Sequence, residues 1–315
     1  MAYEPVRAPR LEEVTVRGLR HGVTWWGERA STPVVLLHGF QDCGATWQFL
    51  ADCLPPEWSL AAPDWRGFGH SEWAPGGYWF PDYLADLDAL LDELVPGAPA
   101  RIIGHSMGAN VAQLYAGVRP QRLAWLVNLE GFGLSRTDPK DAPARYGRWL
   151  DQLREPLREG RYRSVAQLAS FLRSKNPRLP ADRAEFVAGA WTRPAPPVPS
   201  ASAPSASAAP ADVELLFDPR HRLVNPILYR REEAQACWAR VEAPVLLVRG
   251  AVEDGGRAQT VGDATDDMRR CIRNLEVVSV PGAGHMVHHE QPEILARHIV
   301  DFGRACDSLQ ARHPQ

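Results

Sequence analysis

The stretch Arg101-Ile-Ile-Gly-His-Ser-Met-Gly108, with Ala109-Asn-Val-Ala-Gln-Leu-Tyr-Ala-Gly-Val118 behind it, decides the fold. Arg101 to Ile103 reads as a buried strand, and the residues up to Val118, small and apolar, as a helix fit to pack tightly on a sheet. Between them Gly104-His-Ser-Met-Gly108 fits G-x-S-x-G in the strand, tight turn, helix setting that this motif requires. A serine on so sharp a turn has a strained backbone, and side chains at either flank would clash. The helix start behind Ser106 offers amide N–H groups and the positive end of a dipole to a developing oxyanion.

Working outward, apolar runs bounded by turn residues recur at Val34–Leu37, Leu60–Ala62, Ala124–Val127, Val245–Val248 and Leu275–Val280. Short runs that are apolar nearly throughout suit strands covered on both faces. Val14–Arg17 and Gly22–Trp26 read as an opening antiparallel pair. Helical patterns lie between: Asp82–Leu94 places Leu84, Leu87, Leu91 and Leu94 on one face with carboxylates opposite, and Pro292–Cys306 is a closing amphipathic helix. Such alternation predicts an α/β fold around a mainly parallel sheet. It breaks between residues 133 and 240, where Ala144–Arg154, Ser164–Ser174 and Asp182–Ala190 are helical in pattern and no buried-strand run occurs. We therefore expect a core of residues 1–132 and 241–315 and a largely helical cap, or lid, over 133–240. Within the latter, residues 194–211 are only Pro, Ala, Ser and one Val. That composition cannot offset its ordering entropy, so a disordered surface loop is expected.

The composition narrows the function classes. The 315 residues are 45% hydrophobic and 23% charged, with a formal net charge of −3. A general nucleic-acid binder would carry a basic excess, and nothing here attracts anionic membranes. No apolar run is long enough to span a bilayer. The polar, mixed-charge Met1–Glu13 stretch is unlike a signal peptide, so a cytoplasmic location is the expectation. The five cysteines are scattered without a CxxC, which suggests neither a disulfide framework nor a metal knuckle.

Other segments fit around Ser106. His38-Gly39-Phe40 follows a strand about 65 residues before the serine motif. In an acyl-transfer site, one oxyanion-hole amide follows this strand and the other follows the nucleophile, which makes the amides of Phe40 and Met107 the candidates. Pro281-Gly-Ala-Gly-His285 follows the last strand. A serine hydroxyl needs an adjacent base, and an imidazole titrates near neutrality, so His285 is the candidate general base. His288, His289 and Glu290 lie just beyond, but the serine motif accounts for His285 better than a metal site does, and no metal or cofactor is expected. The acid that would orient His285 has three candidates at strand ends: Asp254, Glu130 and Glu253. All keep the chain order serine, acid, histidine.

Together, His38-Gly-Phe40, Asp64-Trp-Arg-Gly-Phe-Gly-His-Ser71, Gly104-His-Ser-Met-Gly108 and Gly282-Ala-Gly-His285 resemble the α/β-hydrolase superfamily in order and spacing. The resemblance spans the chain apart from the inserted segment. It implies an eight-stranded, mostly parallel sheet flanked by helices, with Ser106 at the nucleophile elbow and the Asp64 turn in a structural role. The family usually places its acid after the seventh strand, which favours Asp254; a minority place it after the sixth, which keeps Glu130. Haloalkane dehalogenases and epoxide hydrolases resemble this layout but use aspartate at the elbow, so Ser106 points to acyl chemistry. Leu126-Val-Asn-Leu-Glu-Gly-Phe-Gly133 resembles a serine-hydrolase-like subgroup.

The expectation is a serine hydrolase that cleaves a small to medium apolar ester or related acyl compound through an acyl-enzyme. Trp79, Trp149, Trp191 and Tyr229 are the candidates to line its acyl pocket. The partner is then a small-molecule acyl substrate, not nucleic acid or membrane; the sequence sets no oligomeric state. Two alternatives stand beside it: a C–C bond hydrolase or acyltransferase using the same residues, and a ligand-binding protein that keeps the fold without turnover.

Overall fold

Arg17 and Gly18 both have positive φ (50° and 74°) and form the two-residue turn between β1 (Arg10–Val16) and β2 (Leu19–Trp26), an antiparallel pair. This is the hairpin geometry whose twist matches that of its strands. The computed structural model describes residues 2–29, 32–157, 160–195, 212–252 and 257–312. The remaining strands are β3 (Val34–Leu37), β4 (Leu60–Pro63), β5 (Ala100–His105), β6 (Leu123–Leu129), β7 (Arg161–Tyr162), β8 (Thr192–Pro194), β9 (Val213–Leu215), β10 (Val245–Gly250) and β11 (Leu275–Val280). Eight of them form one sheet in the order β1-β2-β4-β3-β5-β6-β10-β11. All pairings from β4 to β11 across that sheet are parallel, and β2 joins β4 antiparallel. This is the α/β-hydrolase fold that the motifs implied.

The apolar runs explain both faces. Successive strand residues point to opposite sides, so Val35, Leu37, Ile102, Leu126, Val245 and Leu247 feed one core while Val34, Leu36, Ile103, Val127, Leu246 and Val248 feed the other. The first core is covered by α2 (Phe80–Leu94), α3 (Met107–Val118), α7 (Arg231–Trp238) and α8 (Arg257–Cys271). The second is covered by α1 (Gln48–Ala51) and α10 (Pro292–Arg312), joined by the buried Trp26, Trp47 and Trp125. The carboxylates of α2 are not all opposite its leucine face. Asp86 is fully buried, and Arg66 grips it through Nε and Nη2 at 2.5 and 2.6 Å. The pairing makes the charge tolerable in the interior. Asp64 accepts the amides of Gly44 (2.5 Å) and His70 (2.8 Å), which gives the Asp64 turn its structural job.

Between β6 and β10 lie α4 (Ala142–Gln152), α5 (Val165–Lys175), α6 (Ala181–Ala190) and α7. The helical patterns are present, but this region also holds a three-stranded sheet, β7-β9-β8, that the sequence did not suggest. Its strands are two or three residues long and mix charged residues with apolar ones, so they lack the buried run that marks a core strand. Pro194 and Ala195 stand at its edge, where Ala195 N donates to Asp212 O at 2.8 Å. The rest of the Pro/Ala/Ser stretch, residues 196–211, lies outside the described residues. No described helix is long and apolar enough to cross a membrane.

Candidate active site

Parallel sheets of this kind gather their loops beyond the carboxyl ends of the strands, and Ser106, His285, Glu130, Phe40 and Met107 sit there. Ser106 occupies the corner between β5 and α3 with φ 50° and ψ −111°, a region that L-residues seldom adopt. Its own amide donates to Leu129 O (2.8 Å), and its carbonyl accepts from Asn110 N (3.0 Å). The glycines are required by contact. A Cβ on Gly104 would stand 2.7 Å from the Ala109 backbone, and one on Gly108 would run into the carbonyls of Leu37 and His38.

The last strand delivers His285 through Pro281-Gly-Ala-Gly, with Gly282 at φ 71°. His285 Nε2 lies 3.1 Å from Ser106 Oγ. On the other side of the ring, Nδ1 lies 3.2 Å from Glu130 Oε2. Glu130 is buried and leaves β6 with φ 58°. Its amide donates to Val248 O at 3.0 Å, and its Oε1 accepts from Gly250 N at 2.7 Å. The second carboxylate oxygen is thus left for the imidazole. Among the described residues, Glu130 is the carboxylate at Nδ1; Asp254 and Glu253 lie outside them.

Asn128 is a supporting residue that the sequence reading missed. Fully buried in β6, its side chain accepts from Gly131 N (2.8 Å) and donates to Gly131 O (2.9 Å), which closes the turn that carries Glu130. A polar residue inside an otherwise apolar strand, three positions before a glycine, was the available signal. A second clamp fixes the histidine loop. Glu290 accepts from Gly284 N (2.7 Å), from Arg178 Nε (2.6 Å) and from Asn176 Nδ2 (2.8 Å). His105 donates from Nε2 to His285 O at 2.9 Å.

Gly39 brings the β3 loop against the serine, since a Cβ there would stand 3.3 Å from Ser106 Cβ. Met107 opens α3, so its amide has no intrahelical acceptor. His38 is buried and neutral in role: burial lowers its pKa, Nε2 accepts from Trp65 N at 2.9 Å, and Nδ1 meets Gly39 O at 2.8 Å.

Ser106, Met107 and Phe40 line one cavity of about 590 Å³. Trp79 and Trp149 stand in its wall, their rings 6.3 Å apart. The other two expected pocket residues do not. Trp191 instead donates its indole N–H to Asp42 Oδ1 at 2.9 Å, because it packs where the inserted segment meets the core. Tyr229 is drawn to the Gly133 turn, where a Cβ would meet its hydroxyl at 2.6 Å.

Comparison with known proteins gives the same lineage. Residues 32–292 match the family described as alpha/beta hydrolase fold. A serine hydrolase-like protein of Danio rerio is 28% identical over 291 residues, covering 88% of this chain and 83% of that protein. The 2-(acetamidomethylene)succinate hydrolase of Mesorhizobium japonicum is 27% identical over 276 residues, covering 87% and 89%. Among solved structures, a thioesterase domain from the curacin biosynthetic pathway superposes with a TM-score of 0.78 at 24% identity, covering 93% of this chain and 99% of that one, which speaks for the fold.

Proposed function

The chain belongs to the α/β-hydrolase fold family, and from that premise we propose that it is a serine hydrolase acting on a small to medium apolar ester or related acyl compound. The observation that carries this reading is the continuous line Ser106 Oγ, His285 Nε2, His285 Nδ1, Glu130 Oε2, at 3.1 and 3.2 Å, opening onto an aromatic-walled cavity.

In this reading Ser106 Oγ attacks the acyl carbon, and its proton passes to His285 Nε2. Glu130 holds the ring in the tautomer with hydrogen on Nδ1 and stabilises the imidazolium that forms. The amides of Phe40 and Met107 receive the oxyanion; losing one such donor costs about 3 kcal/mol of barrier in comparable sites. The imidazolium then returns the proton to the leaving group, and water releases the acyl group by the reverse path. The segment 133–240 acts as a cap that supplies Trp149 to the wall.

A fluorophosphonate probe with mass-spectrometric site mapping, combined with a p-nitrophenyl ester screen, tests the assignment. Labelling at Ser106 together with turnover that Ser106→Ala abolishes is the expected result. Folded protein that neither labels nor turns over would identify a binding protein instead, and acceptor-dependent products would identify an acyltransferase.

A further inference from the structure

The cavity above Ser106 contains one arginine among its described lining residues, Arg220, and no carboxylate. That arginine is already engaged. Its Nε and Nη2 reach Asp218 Oδ2 at 2.8 and 2.6 Å, and its Nη1 donates to Pro75 O at 3.2 Å. Asp218 is buried behind it and held in place, accepting also from Tyr78 OH (2.8 Å) and Arg220 N (2.9 Å). The neighbouring His221 adds no positive charge. It is stacked between Phe68 and Tyr78 at centroid distances of 3.9 and 3.5 Å, and burial pushes its imidazole down to about 3. The remaining polar side chains in the wall are neutral, and two have their carbonyl oxygens turned to the backbone: Asn110 Oδ1 accepts from Gly133 N and Asn225 Oδ1 from Ile227 N.

We propose that this cavity selects acyl groups that are neutral along their whole length and rejects those that end in a carboxylate, because its single cation is cancelled by Asp218. The inference rests on the serine-hydrolase reading above and names its substrate class. An entering carboxylate would lose its hydration against aromatic walls, which is costly without a partner charge. At Arg220 it would meet an ion pair of zero net charge and the like charge of Asp218. A neutral chain pays neither cost and gains contact with Trp79 and Trp149.

The test compares p-nitrophenyl methyl adipate with mono-p-nitrophenyl adipate, which differ by one methyl cap and one charge. Rates are normalised to sites titrated with the fluorophosphonate. The expected kcat/KM ratio favours the neutral ester by at least about tenfold. Asp218→Asn should shrink that ratio by about fivefold or more by freeing Arg220, and adding Arg220→Gln should restore it. A wild-type ratio near one, or in favour of the acid, overturns the proposal without any variant. A ratio unchanged in Asp218→Asn overturns the assignment to this ion pair. Protein that does not label at all fails the serine-hydrolase reading instead, and the titration tells the two failures apart.

Discussion

Glu130 answers three demands at once: a left-handed backbone, a bond to Gly250 N and a bond to His285 Nδ1. A residue under those constraints does not tolerate isosteric neutralisation. Glu130→Gln should keep the fold and lower kcat on the best p-nitrophenyl ester by about 10³- to 10⁴-fold, as when an amide replaces the carboxylate in comparable sites. Asp254→Asn should change kcat by less than about threefold. The reverse outcome in steady-state assays would move the acid to the β10 loop. Ser106 and His285 were legible in the sequence because glycine-rich turns of fixed pattern carry them. The choice between Glu130 and Asp254 was not, because both follow parallel strands that end at the same edge. What brings Glu130 to His285 is the conformation of its own peptide and the aim of its side chain, which no pattern of residue types encodes.

Elements meet through contacts that are equally exacting. Helices α3 and α7 touch where Gly117 faces Cys237, and any Cβ on Gly117 would run into the Cys237 carbonyl. Gly117→Ala gains helix propensity but forces the pair apart, so a net loss of about 1–3 kcal/mol is expected in urea unfolding; a gain would mean the helices separate freely. The Glu290 clamp links the histidine loop to the α5–α6 connection through Arg178 and Asn176. Glu290→Ala leaves the buried Gly284 amide without its side-chain acceptor and takes the carboxylate away from Arg178 Nε. Arg178 keeps access to water, so the loss comes chiefly from the unsatisfied amide and should be about 1–3 kcal/mol, and kcat should fall with it as His285 loses its anchor. Unchanged unfolding would show that the clamp bears no strain. At this scale the period of the apolar residues announced α2, α3 and α10. It concealed the buried Asp86, whose partner Arg66 lies 20 residues upstream on another element.

Across the whole molecule, the parallel sheet was legible because strands covered on both faces must be apolar throughout. The three-stranded sheet of the inserted segment was not, because its strands are short and partly exposed. Nor could composition alone sort the aromatic residues: Trp79 and Trp149 reach the cavity, while Trp191 and Tyr229 are used in packing. The same burial that shapes the cores acts on every thiol. Burial pushes Cys53 and Cys306 up to about 11 and raises Cys43, Cys237 and Cys271 as well. The thiolate is the reactive form, and with a pKa near 11 only about one thiol in a thousand is ionised at pH 8. The thiolate population rises as pH climbs toward that value, so reactivity should stay low through neutral pH and grow only in alkali. Native protein at pH 8 should therefore react slowly with Ellman's reagent, and all five cysteines should react at once in denaturant. Hydrolysis should survive iodoacetamide, while a fluorophosphonate abolishes it, because the proposed nucleophile is a hydroxyl activated by imidazole. A thiol that reacted within seconds in the native state, with loss of turnover, would contradict both the burial and the chemistry assigned to Ser106.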